Sequence, residues 1–288
     1  MLGRLLKDIF GARGGAAAGP AAPPEPPAVQ RLRKIAAAHS RAPLDRHLEI
    51  LFGAARAGRR GLLELTAEVL DRTGSALPPL KVLQRRFSTQ TLIAYFLHAR
   101  TLPGRWAECG VFSGASSLAL CAAARSVDSA FDGAGLHLVD SFEGLGPAHE
   151  RDHESVRGEN GAEVLVPPVF REGHFRTDFA KVQAAFADFP GVEFHKGWIP
   201  DVLATLPEAR WSFVHVDVDL YAPTRACLEY FLPRLVPGGA IVCDDYGAPT
   251  FPGAARAWDE VCEIGGIPFV ELPTGQAASG KLGRVSSR

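Results

Sequence analysis

Five short runs constrain the fold before any single residue is weighed. WAECGV, LHLVDS, VEFHKG, FVHVDVD and AIVCDD recur from residue 105 onward, each apolar and β-rich, each ending in or near an acidic residue or a glycine. Helical stretches separate them. Near-continuous apolar character suits strands buried on both faces, as in a parallel sheet, and helices between such strands make right-handed crossovers. The expectation is an α/β fold with a doubly wound, mostly parallel, Rossmann-like sheet. Hydrophobic residues at 47% and charged residues at 22% supply one substantial core.

Upstream of that pattern the periodicity is helical. Leu44, Leu48 and Leu51, then Leu62, Leu65 and Val69, then Leu92 and Phe96 recur at three- and four-residue steps, punctuated by Pro43, Gly74, Pro78 and Pro79. Residues 29–100 therefore read as a helical N-terminal extension or cap, and residues 101–288 as the ligand-binding domain. Residues 1–28 read as a flexible tail, because their Ala/Gly/Pro stretch cannot pack a core. The tail starts amphipathically, with Leu2, Leu5, Leu6, Ile9 and Phe10 opposite Arg4 and Lys7. So short a segment is too small for a stable isolated helix, and its basic side suits at most a weak contact with a membrane surface. At the far end, PFVELP and KLGRVS read as a terminal hairpin on the sheet edge.

Charge and cysteines narrow the setting. Lys+Arg number 31 against Asp+Glu 32, a net charge of -1, so no global field draws the chain onto nucleic acid. Cys109, Cys121, Cys227, Cys243 and Cys262 are odd in number and widely spread, which fits reduced thiols in the cytoplasm. No transmembrane segment or secretory signal is expected, since apolar runs of about 18 residues are missing and the first residues lack a cleavage pattern.

The first strand runs into Glu108-Cys109-Gly110-Val111-Phe112-Ser113-Gly114-Ala115-Ser116-Ser117, a glycine loop opening a helix. Glycine lets backbone approach a ligand, and the helix start offers unpaired N–H groups. Phe112 stands where the dinucleotide fingerprint has its next glycine, which disfavours hydride chemistry with NAD. Asp140, ending the second strand, is positioned to accept hydrogen bonds from both hydroxyls of a ribose. Together the two features specify an adenosine-type ligand.

A second constellation is acidic: Asp217 and Asp219 in HVDVDLY, Asp244 and Asp245 in VCDDY. Neighbouring strands lie about 4.8 Å apart, so if FVHVD and AIVCD are adjacent, their ends bring three carboxylates into one cleft. Such a cluster needs protons or a cation between its members, and hard oxygen donors favour Mg2+ or another hard divalent ion over zinc. Other candidates read more plainly. His149, Glu150, Asp152, His153 and Glu154 form a solvated charged loop. The long connection from Gly144 to Phe175 reads as a lid over an acceptor. His215 reads as a satisfied core histidine, and Cys243 lacks a histidine partner for nucleophilic work. Trp198 or Tyr246 offers a ring for adenine or acceptor.

ECGVFSGASS, DSFEG, GWIPD, HVDVDLYAPT and VPGGAIVCDDYG, in that order, resemble the macrocin O-methyltransferase family. The resemblance spans roughly residues 86 to 262. It implies a class I methyltransferase fold, S-adenosyl-L-methionine as methyl donor and Mg2+ as the assisting ion. Its most specific element is an Asp pair ending one strand and Asp-Asp-Tyr ending the next, with Asp217 and Asp244 at the family's 27-residue spacing. Carried over by position, Asp217, Asp244 and Asp245 would hold Mg2+, with Asp217 also the base. Glu108, Gly110, Val111, Ser113, Ser116, Asp140, Ser141, Phe142, Gly197, Trp198 and Asp217 would contact the cofactor. The implied partner is a small-molecule hydroxyl acceptor, a sugar or other vicinal diol, with a homodimer compatible. Val218 in place of the usual glycine, and Phe112-Ser113 in place of Trp-Arg, bear on the acceptor rather than on methyl transfer. Competing expectations are a catechol or cell-surface glycan as acceptor, or a non-catalytic adenosyl-ligand-binding regulator.

Overall fold

Each of the five runs forms a strand in the computed structural model, which describes residues 79–157, 163–168 and 170–280. They are β1 (Arg105–Cys109), β2 (Leu136–Asp140), β5 (Glu193–Lys196), β6 (Trp211–Val216) and β7 (Leu235–Cys243). Between them lie α2 (Ala115–Val127) after β1, α3 (Phe179–Ala185) before β5, and α4 (Tyr221–Phe231) between β6 and β7. Helix α1 (Pro79–Ala99) precedes β1, and α5 (Pro252–Gly265) follows β7. A separate hairpin, β3 (Glu154–Arg157) with β4 (Glu163–Val166), rises from the long connection after β2.

With β8 (Phe269–Glu271) and β9 (Ala277–Gly280) near the end of the described chain, the sheet has seven strands in the order β5-β2-β1-β6-β7-β9-β8, and the first five run parallel. Strand order reverses at β1, which has β2 on one side and β6 on the other. In doubly wound sheets that reversal opens a crevice at the carboxyl ends of the strands. Period-two alternation explains why these strands read as apolar throughout. Leu138, Phe213 and Val242 pack into one core, with Leu92, Ile93 and Phe96 of α1, while Val139, Val214, Ile241 and Cys243 pack into the opposite one with Leu228, Phe231 and Trp258.

Helix α1 lies inside the span read as an extension or cap, and its last turns pack into the core of the sheet. The expectations for residues 1–28, and for 29–100 up to residue 78, lie outside the described residues. Of the expected terminal hairpin, PFVELP supplies β8, which pairs with β9, the AASG segment, while KLGRVS lies outside the described residues. Small residues fit there because β9 runs antiparallel between β7 and β8, and Ala277 and Ala278 are buried.

Candidate functional site

The ladder of backbone hydrogen bonds runs past the strand ends. Gly197 N donates to Asp140 O, Gly110 N to Val139 O and Asp244 N to Val216 O, each at 2.9 Å, and Asp217 N donates to Cys109 O at 2.8 Å. The residues that follow each strand are thereby fixed as firmly as the strands themselves. Gly110 has φ +87, and a Cβ there would overlap the carbonyl oxygen of Asp217. Its lack of a side chain is required by this close approach of two main chains.

On the β2 side, Asp140 organises the loop after β1. Its Oδ2 accepts the N–H groups of Val111 (2.6 Å) and Phe112 (2.9 Å), and its Oδ1 accepts that of Phe142 (2.6 Å). Phe112 and Phe142 are held at φ +49 and +58, and Asp219 after β6 at φ +63. Left-handed backbone is costly for such residues and concentrates where the surrounding structure imposes it. Ser141 Oγ accepts the N–H of Glu143 at 3.1 Å. Ser116 is buried on α2, Ser113 is half-buried, and Trp198, following Gly197, is exposed. Glu108, expected at the cofactor, is 1% exposed and accepts from His215 Nδ1 at 2.8 Å.

On the β6 and β7 side the carboxylates fall into two groups that share Asp217. One comprises His215, Asp217 and Asp244, the other Asp217, Asp219 and Asp245, with potential ligand atoms within 4.8 Å of one another in each. Asp245 is buried, and its Oδ2 accepts the N–H of Asp219 at 2.9 Å. Burial, reinforced by the like charges of Asp219, Asp217 and Asp244, holds the Asp245 carboxyl well above the usual carboxylate range. A divalent cation would relieve that repulsion: Asp217, shared by both groups, Asp244 of the first and Asp245 of the second offer it carboxylate oxygens, the donors Mg2+ prefers.

His215 is more than a satisfied core histidine. Burial opposes its charge, yet Asp244 and Glu108 outweigh this and push its pKa up to about 10. Two residues of the site escaped the sequence reading: His215, whose carboxylate partners lie on other strands, and Gln276, which donates from Nε2 to Asp244 Oδ1 at 2.6 Å. Only the period-two spacing of His215 and Asp217 hinted at the first, and nothing local marks the second. Cys243 is buried, and burial raises its thiol pKa well above normal, so it has no nucleophilic role.

Rings gather beside both halves. Phe112, Phe170, Phe175 and Phe251 pack within 6.4 Å of one another through successive ring pairs. Asp152 departs from the solvated reading of its loop, being 2% exposed.

Known proteins with similar sequences or folds bear on this arrangement. The family model for macrocin-O-methyltransferase (TylF) matches residues 81–268. The chain is 32% identical over 154 residues to the 8-demethyl-8-(2,3-dimethoxy-alpha-L-rhamnosyl)-tetracenomycin-C 4'-O-methyltransferase of Streptomyces olivaceus, covering 50% of this chain and 54% of that one. It is 30% identical over 176 residues to the mycinamicin III 3''-O-methyltransferase of Micromonospora griseorubida, covering 57% and 66%. The chain thus spans about half to two thirds of the length of these curated relatives. Among solved structures, the calicheamicin methyltransferase CalS11 superposes with a TM-score of 0.56 at 23% identity, over 75% of this chain and 91% of that one. The O-methyltransferase NovP gives 0.57 at 18% identity, over 84% and 100%. At these identities the likeness is one of fold: a class I methyltransferase sheet.

Proposed function

The chain belongs to the macrocin O-methyltransferase family, and from that premise we propose that it transfers a methyl group from S-adenosyl-L-methionine to a sugar hydroxyl of a glycosylated natural product. The observation that carries this reading is the meeting of Gly110 with the Asp217 main chain, which joins a cofactor-type loop to a carboxylate cluster. The names of the curated relatives supply the class of acceptor, a sugar hydroxyl on a larger scaffold.

The chemistry is an in-line displacement. The acceptor oxygen forms a bond to the methyl carbon, the carbon–sulfur bond breaks, and S-adenosylhomocysteine leaves. An alcohol resists ionisation about as strongly as water, whose pKa is about 15.7. When bound, Mg2+ supplies positive charge beside the reacting hydroxyl. Asp217, Asp244 and Asp245 are the residues that would hold it. Asp217 belongs to both carboxylate groups and takes the hydroxyl proton as general base. Asp140 orients the donor by fixing the loop of Val111 and Phe112; its Oδ2 is taken by their two N–H groups, and Oδ1, which accepts from Phe142, keeps one acceptor position for a ribose hydroxyl. Holding donor and acceptor side by side lowers the barrier further by removing their free motion.

In this reading residues 101–288 are the catalytic domain. Five free, buried cysteines support a reducing, cytoplasmic setting. No helix among the described residues is long and apolar enough to cross a membrane. The test is a methyl-labelled donor offered with deoxysugar glycosides, catechols and glycans, with and without EDTA. Label on a glycoside, lost with EDTA and restored by Mg2+, is the expected result. Label on a catechol alone would overturn the acceptor, and donor binding without transfer to any acceptor would favour a binding module.

A further inference from the structure

Asp244 has polar neighbours on two sides. Gln276 Nε2 donates to its Oδ1 at 2.6 Å, and His215 Nε2 stands 3.6 Å from that same oxygen, close but beyond hydrogen-bond length. Behind the imidazole, Nδ1 donates to Glu108 Oε1 at 2.8 Å. Glu108 and His215 are direct cross-strand neighbours on β1 and β6, and His215 is in register with Val242 on β7. Alternation puts Asp244 on the side of Val242, so three adjacent strands line up carboxylate, imidazole and carboxylate on one face. Gln276 is anchored as well, because Thr274 Oγ1 donates to its Oε1 at 2.7 Å and its Nε2 lies 3.4 Å from Ser88 O.

Glu108, His215 and Gln276 are all essentially inaccessible to water. Burying polar and ionisable side chains together is a weak stabilising device, since desolvation consumes most of what their contacts return and apolar residues of similar size do as well. Outer partners of a ligating carboxylate, by contrast, fix its direction and tune its affinity for a cation. We propose that His215 and Gln276 are positioning residues that aim the Asp244 carboxylate at the divalent cation, with Glu108 holding the His215 ring in place. This inference rests on the metal-assisted reading above.

The imidazole's two nitrogens can be separated by mutation. An asparagine at 215 retains an amide nitrogen near the position of Nδ1, toward Glu108, whereas a glutamine reaches the position of Nε2, toward Asp244. Mn2+ binding to the full chain, measured by electron paramagnetic resonance without donor or acceptor, reads the cation site directly, and a melting curve reads the fold. His215→Asn is expected to weaken Mn2+ binding by about 10–100-fold, the usual effect of losing such a partner. His215→Gln is expected to restore most of the affinity, and Gln276→Leu to weaken it like asparagine. A role in stability alone would lower the melting temperature and leave Mn2+ affinity equal across the folded variants, which overturns the proposal. If His215→Asn does not fold, Gln276→Leu decides: weakened binding supports the clamp, and wild-type affinity overturns it. A wild-type chain that takes up no Mn2+ would bring down the metal-assisted reading, and this inference with it.

Discussion

Asp152 accepts the backbone N–H of Tyr221 through Oδ1 at 2.7 Å, joining residues 69 positions apart. Its Oδ2 accepts the N–H of His149 at 2.8 Å. Tyr221 opens α4, and the first N–H groups of a helix have no partner within it. A carboxylate from the connection after β2 therefore caps a helix that begins just beyond Asp217, where negative charge is also favoured by the helix dipole.

Replacing Asp152 by alanine strands the buried N–H of Tyr221, while that of exposed His149 is open to water. A buried donor without an acceptor costs about 1–3 kcal/mol, so Asp152→Ala is expected to lower stability by that much. Urea unfolding should show a lower midpoint at unchanged slope. An unchanged midpoint would mean that water substitutes for the carboxylate.

Asp217→Asn keeps the shape of the side chain and removes both a charge and the proton acceptor. Turnover is expected to fall by about 100-fold or more, the range for lost acid–base catalysis, with donor affinity little changed. Asp219→Asn should be milder, because asparagine tolerates the left-handed backbone found there at φ +63. Steady-state kinetics and calorimetry on the two variants separate these roles, and equal losses would contradict the assignment of Asp217 as base.

Asp140→Ala releases the N–H groups of Val111, Phe112 and Phe142 together. Donor affinity is expected to weaken by about 1.5–3 kcal/mol, the value of hydrogen bonds to a charged group. Calorimetric titration with S-adenosylmethionine checks this, and wild-type affinity would remove Asp140 from the binding site.

A pH dependence follows from the edge of the sheet. Arg105 NH1 lies 3.0 Å from His137 Nε2, so that nitrogen accepts, and His137 Nδ1 donates to His195 Nε2 at 3.0 Å. Burial lowers the pKa of His137 from 6.5 to about 4 and lowers that of His195 too; Glu193 opposes both shifts, while Arg105 adds to the lowering at His137. Both rings are neutral in the fold, whereas the unfolded chain binds protons below about pH 6.5. Their contribution is therefore complete above the unfolded value and is lost as pH falls from about 6.5 toward about 4. Unfolding at pH 7 and pH 5 should show a smaller loss for His137→Phe than for the wild type.

Strands β1, β2, β6 and β7 are legible because parallel strands covered on both faces are largely apolar, and an acidic or glycine turn marks where each ends; β5 (EFHK), at the sheet edge with Glu193 and Lys196 exposed, is legible chiefly by the Gly197 turn that follows it. The Asp140 and Asp217 positions were legible for the same reason. What stayed hidden depends on register between distant segments. That Glu108 and His215 are neighbours shows only in the pairing of β1 with β6, which sets them side by side. Strand β9 is AASG, without the branched residues that announce a strand, and it brings Gln276 to Asp244. The charged loop around Asp152 looked solvated because its partner N–H groups are backbone atoms, which carry no signature in the side-chain alphabet.

The contact between Gly110 and Asp217 gives the two halves of the reaction a common datum. Their separation is set by main-chain atoms at van der Waals range, reinforced by the Asp217 N–H donating to Cys109 O at 2.8 Å. Rotamer changes do not alter such a distance, and thermal displacement of one loop carries the other with it. In the proposed reaction, alignment between methyl carbon and proton acceptor would then be a property of the backbone, while the connection after β2 proposed as a lid, with Phe170 and Phe175, would be free to diverge in what it admits. Exchanging lid residues should change which acceptor is methylated and leave the geometry of transfer as it was.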